Sequence, residues 1–123
     1  ANSKPNILTL YDSQVAYKMS QGHSWSDMTK MAIDALSEHV YVSFDIDGLS
    51  PNLCPSTGTP VPGGLSFHQM ETLLYALSNS GKKIIGFDLC EVSPSSSEEL
   101  DSWDGNVGAR VLFKLCGALL NQH

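Results

Sequence analysis

Apolar residues recur along this chain at two spacings, and the spacings predict an alternation of strands and helices. Asn6-Ile7-Leu8-Thr9-Leu10-Tyr11 is a short apolar run closed by Asp12, which predicts a strand. The stretch from Gln14 to Gly22 has no clear period and is left unassigned. Ser24 followed by Asp27 is a weak capping box, and Met28, Met31, Ala32, Ala35 and Leu36 then follow at helical spacing. Val40 to Asp47 is β-branched and aromatic, as a buried strand requires. Gly48 to Gly64 is a long loop rich in Pro and Gly, and loops of that kind in small domains are usually functional or disordered. Ser66 with Gln69 opens a second helix, whose buried face is Met70, Leu73, Leu74 and Leu77 and which Gly81 stops. Lys83 to Cys90 predicts a third strand. After an irregular segment from Glu91 to Asp104, a last helix is expected from about Asn106, with Val107, Val111, Leu112, Leu115, Leu119 and Leu120 on its apolar side.

The resulting order is β-α-β-α-β-α. It predicts an α/β fold, a parallel sheet with flanking helices built from three βα units, in one domain over residues 1–123. In such sheets sites form beyond the C-terminal ends of the strands. The two long loops, after Asp47 and after Cys90, both leave from that edge.

Composition narrows the function. Hydrophobic residues are 41% and charged residues 16% of the chain, which suits a globular protein. The formal net charge is −6 and the few Lys and Arg are scattered, so nucleic acid is a poor partner. Cys54, Cys90 and Cys116 are odd in number, widely spaced and without a CxxC pair. That argues against a disulfide framework or a zinc site and for the reducing cytoplasm. No apolar run reaches the roughly 18 residues of a membrane span, and no signal peptide is visible. The chain does not open on Met, which fits simple processing and also fits a piece of a longer protein.

Asp45 and Asp47 carry the sharpest chemical signal. On a strand, residues i and i+2 share a face roughly 7 Å apart. Two ionised carboxylates that close repel each other, and a hard divalent cation such as Mn²⁺ or Mg²⁺ removes the repulsion. Taken alone, an Asp-x-Asp pair could equally be a loop cap and a solvated acid. Glu91 alone could be a surface acid, although a planar guanidinium favours a bidentate carboxylate partner. His23, His39, His68 and His123 stand near no second ligand in sequence and read as ordinary histidines.

The surrounding motifs decide between these readings. Ser43-Phe44-Asp45-Ile46-Asp47-Gly48-Leu49-Ser50-Pro51 is followed by Thr57-Gly58-Thr59-Pro60, by Gly63-Gly64-Leu65, and by Phe87-Asp88-Leu89-Cys90-Glu91-Val92-Ser93-Pro94. In that order and at those spacings they resemble the ureohydrolase family of arginase, agmatinase and formimidoylglutamase. The likeness is strong from Val40 to Pro94 and weaker to the C-terminus. It implies the C-terminal part of a hydrolase of linear C–N bonds in small guanidino or formimino substrates, releasing urea from amidino ones. It implies two Mn²⁺ ions, with Asp45 bridging both and Asp47 ligating one through both its oxygens. Thr59 would lie in the substrate site, and Glu91 would pair with the guanidinium. A homo-oligomer, trimer or hexamer, is implied for the whole enzyme. Asp88 is assigned no role.

The chain also departs from the family. Ser50 stands where the family has Asp. The family's other metal ligands, a His and a DxHxD segment, and its proton-transfer His lie upstream and do not occur here. No catalytic residue is therefore assigned within the segment, and alone it is expected to be inactive. Two alternatives follow from other readings of the same residues. One is a non-catalytic association module, because a lone three-stranded piece exposes apolar surface and sheet edges. The other is a Mg²⁺-dependent phosphatase of the haloacid-dehalogenase type, whose first motif Phe44-Asp45-Ile46-Asp47-Gly48 resembles. That likeness lapses at Leu49-Ser50-Pro51 and leaves the glycine-rich motif unexplained.

Overall fold

The computed structural model describes residues 6–93 and 102–122. In chain order these form α1 (Asp12–Ser20), α2 (Trp25–Asp34), β1 (His39–Asp45), a 3₁₀ turn (Ile46–Gly48), α3 (Phe67–Ser78), β2 (Lys83–Cys90) and α4 (Trp103–Leu120). Helices α2 and α3 start where side chains replace missing intrahelical bonds. Ser24 Oγ accepts from the Asp27 amide at 3.0 Å while Asp27 Oδ2 accepts from the Ser24 amide at 2.9 Å. Ser66 and Gln69 repeat the same reciprocal box on α3, both bonds at 3.0 Å. The indole of Trp25 then joins the two helices, donating to the Gln69 carbonyl and to Thr72 Oγ1 at 3.0 Å each.

Strands β1 and β2 pair in parallel, with α3 as the crossover between them. Their register passes from Val40↔Ile84 to Tyr41↔Gly86, so Ile85 is a bulge and points outward at 59% exposure. The Tyr41 ring covers Gly86 from across the ladder, with ring carbons 3.0 and 3.1 Å from where a Cβ would sit. Val40, Val42 and Phe44 of β1 and Ile84, Phe87 and Leu89 of β2 join Met70, Leu74 and Leu77 of α3 and Val107, Val111 and Leu115 of α4 in one apolar cluster. The Gln122 amide closes the other side of β2. Its Oε1 accepts from the Ile84 amide at 2.7 Å and its Nε2 donates to the Ile84 carbonyl at 3.1 Å. No helix of the described residues is long and apolar enough to cross a membrane.

The parallel α/β arrangement agrees with the sequence reading, but three local expectations change. Asn6–Tyr11 is not a strand. No described strand runs beside it to complete a ladder, and Ile7, Leu8 and Tyr11 stay about half exposed. The sheet therefore has two strands among the described residues, not three. The unassigned stretch instead contributes α1, which has no buried residue. Strand β1 stops at Asp45, which leaves Asp47 in the 3₁₀ turn. Helix α4 starts before Asn106, at Trp103, because Ser102 caps it by accepting from the Gly105 amide. The serine-rich stretch and Pro94 of the last motif lie largely or wholly outside the described residues, as does His123.

Candidate metal and substrate site

The C-terminal edge of the sheet gathers the motif residues. Asp45 is the last residue of β1, exposed, and in register with Cys90, the last residue of β2. Asp47 follows in the 3₁₀ turn. The i, i+2 strand geometry therefore does not relate it to Asp45; the turn does. That turn is held from inside by Ile46, which is fully buried, and by Cys54, whose thiol donates to the Ile46 carbonyl at 3.4 Å. Burial, then the charges of Asp104 and Asp47, push the Cys54 thiol above its ordinary pKa, so it serves as a neutral core group.

The glycine-rich loop folds back over this edge. Thr59 Oγ1 donates to Asp47 Oδ2 at 2.6 Å, a charge-assisted contact across the loop. That use of the proton leaves the hydroxyl lone pairs free to accept from a ligand N–H. At the far end of the loop, Leu65 N donates to the Gly48 carbonyl at 2.9 Å and Ser50 N donates to the Leu65 carbonyl at 2.8 Å. Between these points the loop is pinned to α4. Asp104, only 2% exposed, accepts from the Ser56 amide through Oδ2 at 2.9 Å, and the Trp103 indole donates to the Asn52 carbonyl at 3.0 Å.

Glu91 joins the same neighbourhood from β2. Its Oε2 lies 3.8 Å from where a Cβ on Gly58 would stand, and its carbonyl accepts from Thr57 Oγ1 at 2.9 Å. Its φ is +68°, the one positive value among described non-glycine residues. The structure thus brings Thr59 onto Asp47 and Glu91 onto the loop residue beside Thr59. Asp45 sits on the adjoining strand end without a described contact to them.

Behind Asp45, on the same outward face, lies a polar group that sequence reasoning passed over. Ser43 Oγ donates to Asp88 Oδ1 at 2.9 Å, and the Cys90 thiol donates to the same oxygen at 3.4 Å. The Ser43 bond, ahead of smaller contributions from Cys90, Tyr41 and the Phe44 amide, holds the Asp88 carboxyl below its ordinary range. In return Asp88 pushes the Cys90 thiol up. Asp88 is therefore an ionised residue inside the sheet's polar face. The register pairing that produces this cluster is a tertiary fact with no local sequence signal.

The donor chemistry at this edge fits a hard divalent cation in kind, since Asp45 and Asp47 offer carboxylate oxygens. It does not fit in number: the described residues contain no group of three or more His, Cys, Asp or Glu able to hold an ion. His23, His39 and His68 take no part. His68 instead faces Glu71, at 3.4 Å, on α3.

Comparison with known proteins supplies the wider frame. The arginase family profile matches residues 10–117. N(1)-aminopropylagmatine ureohydrolase of Thermus thermophilus is 48% identical over 63 residues, covering 51% of this chain and 21% of that protein. Agmatinase of Pyrococcus horikoshii is 40% identical over 85 residues, covering 69% of this chain and 29% of the relative. Among solved structures, the proclavaminate amidino hydrolase of Streptomyces clavuligerus superposes with a TM-score of 0.70 at 25% identity, over 93% of this chain and 35% of that one. The chain therefore spans less than a third of these two curated relatives, at 21% and 29% of their lengths.

Proposed function

The chain belongs to the arginase family, and from that premise we propose that it forms one side of the active site of a manganese-dependent hydrolase of guanidino substrates, with release of urea. The observation that carries the reading is the return of the glycine-rich loop onto the sheet edge. Thr59 bonds Asp47, while Gly58, one residue away, lies against Glu91. An arrangement of carboxylates and hydroxyl on one edge suits a cation-bearing planar group next to a dication.

In this proposal Asp45 and Asp47 would hold the manganese. When bound, the manganese pair supplies Lewis acidity and activates water toward the guanidinium carbon. The chain's own residues bind and orient. Thr59 fixes the rotamer of Asp47 through Oδ2. The Thr59 oxygen can accept from a substrate N–H. Glu91 receives the guanidinium as a paired acceptor, which neutralises the cation and sets its plane. The described residues bring only two of the metal's ligands, so the remaining ligands and the proton-transfer group belong to a longer enzyme, of which we take this chain to be the C-terminal portion. Alone it would be inactive.

We extend the proposal to a cytoplasmic homo-oligomer. Three free thiols suit a reducing compartment, and Phe113 and Leu120, 74% and 80% exposed on α4, are apolar area for the rest of the longer enzyme or a second subunit to cover. The test is hydrolysis by the complete enzyme, loaded with manganese: urea release from arginine, agmatine and related guanidino compounds, and formamide release from formiminoglutamate as the formimino member. Turnover of at least one that is lost on chelation supports the reading. No turnover of any of them with manganese bound would overturn it.

A further inference from the structure

Thr57 is 5% exposed, and its hydroxyl donates to the backbone carbonyl of Glu91 at 2.9 Å, which joins the glycine-rich loop to the end of β2. Glu91 adopts φ +68°, a left-handed conformation that a residue with a Cβ rarely holds unless its surroundings impose it. The carboxylate that results points back over the loop, with Oε2 3.8 Å from a Cβ position on Gly58. Three consecutive loop residues thus border the two acids. Thr57 holds the Glu91 backbone, Gly58 lies beside the Glu91 carboxylate, and Thr59 holds Asp47. The loop is itself anchored, because buried Asp104 accepts from the Ser56 amide at 2.9 Å. Thr57 is therefore a fixed donor that Glu91 must meet.

We propose that Thr57 is a positioning residue, whose hydroxyl locks Glu91 in its left-handed conformation and so aims the Glu91 carboxylate at the substrate guanidinium. The inference rests on the reading of Glu91 as the guanidinium's partner. Without the Thr57 bond, residue 91 relaxes toward an ordinary backbone conformation and its carboxylate turns away from Gly58. Substrate binding then suffers more than the chemical step.

The complete manganese-loaded enzyme, assayed with a guanidino substrate it turns over, tests this in three variants. Thr57→Val keeps the side-chain shape and removes the donor, Thr57→Ser keeps the donor, and Glu91→Gln removes the charge. Loss of one hydrogen bond of ordinary net strength predicts a KM raised about fivefold in Thr57→Val. The fall in kcat is smaller than the rise in KM, and Thr57→Ser brings KM back toward the wild type. A raised KM in Glu91→Gln with an unchanged KM in Thr57→Val overturns the positioning role. Equal losses in the Val and Ser variants, confined to kcat, also overturn it. An unchanged KM in Glu91→Gln overturns the reading of Glu91 beneath it. If Thr57→Val does not fold, a crystal structure of the wild-type enzyme decides: a left-handed Glu91 bonded to Thr57 supports the proposal, and an extended or right-handed Glu91 ends it.

Discussion

Ala in place of Gly64 adds one methyl group where the glycine-rich loop returns to the end of β1. The new Cβ would stand 2.7 Å from both the carbonyl carbon and oxygen of Leu49 and 2.9 Å from the Ser50 amide nitrogen. These are backbone atoms beside a side chain that is 1% exposed, so they cannot swing aside. Gly64 also has φ +82°, which costs a residue with a Cβ roughly 1–2 kcal/mol. To relieve the clash, the strip must part, and the bonds from Leu65 N to Gly48 and from Ser50 N to Leu65 lengthen or break. At about 1 kcal/mol net for each, the total is about 3–4 kcal/mol. Gly63→Ala is the matched control. Its φ is +97°, but its Cβ would meet Oδ2 of exposed Asp12, the free end of a side chain that can rotate away. It should lose only the conformational part, roughly 1–2 kcal/mol. Urea denaturation of both variants measures the difference. At a slope of about 1–3 kcal/mol/M, a gap of about 2 kcal/mol separates the midpoints by about 1 M. Equal midpoints would refute the claim that the Leu49–Leu65 strip is a rigid backbone contact.

Other consequences are smaller and independent. Gly117 lies within α4 with nothing within 4 Å of an added Cβ, so Gly117→Ala should stabilise by about 0.5–1 kcal/mol and raise Tm; a lower Tm would contradict it. Thr59→Val removes the donor to Asp47 and should weaken manganese binding to the complete enzyme about fivefold by titration calorimetry; unchanged affinity would remove Thr59 from the metal's surroundings. The Ser24 amide, then its hydroxyl, hold the Asp27 carboxyl below its ordinary value. A depressed folded pKa means the contribution is present above the unfolded pKa and lost as pH falls through the folded one. Asp27→Ala should therefore lower the urea midpoint near neutrality, with the two curves converging in acid. A gap that persists undiminished at low pH would show that ionisation of Asp27 is not its source.

Local rules made much of this fold readable. Both capping boxes, at Ser24 and Ser66, satisfy backbone groups with neighbours in sequence, and the bounds of β2 coincide with the largely apolar stretch Lys83–Cys90. Asn6–Tyr11 misled for the complementary reason: its composition suits a strand, but a strand exists only beside a partner, and composition does not report one. The end of β1 was misread by two residues because Ile46, fully buried, continues the apolar pattern while the backbone has already turned into a 3₁₀ helix. At the site, the motif residues Asp45, Asp47, Thr59 and Glu91 were visible as residue types at meaningful spacings. The Thr59–Asp47 bond, the left-handed Glu91, the Thr57 hydroxyl on its carbonyl and buried Asp104 beneath the loop were not. Each depends on how a loop closes over positions 12, 34 or 48 residues away, and such closure leaves no periodic trace.

The central claim is that the end of β1 holds manganese. Metal content and urea release of the complete enzyme, measured together for wild type, Asp45→Ala and Ser50→Ala, test it most directly. The account predicts that Asp45→Ala loses bound manganese and activity together while Ser50→Ala keeps its metal. An Asp45→Ala enzyme that retains a wild-type complement of manganese and wild-type urea release would contradict it.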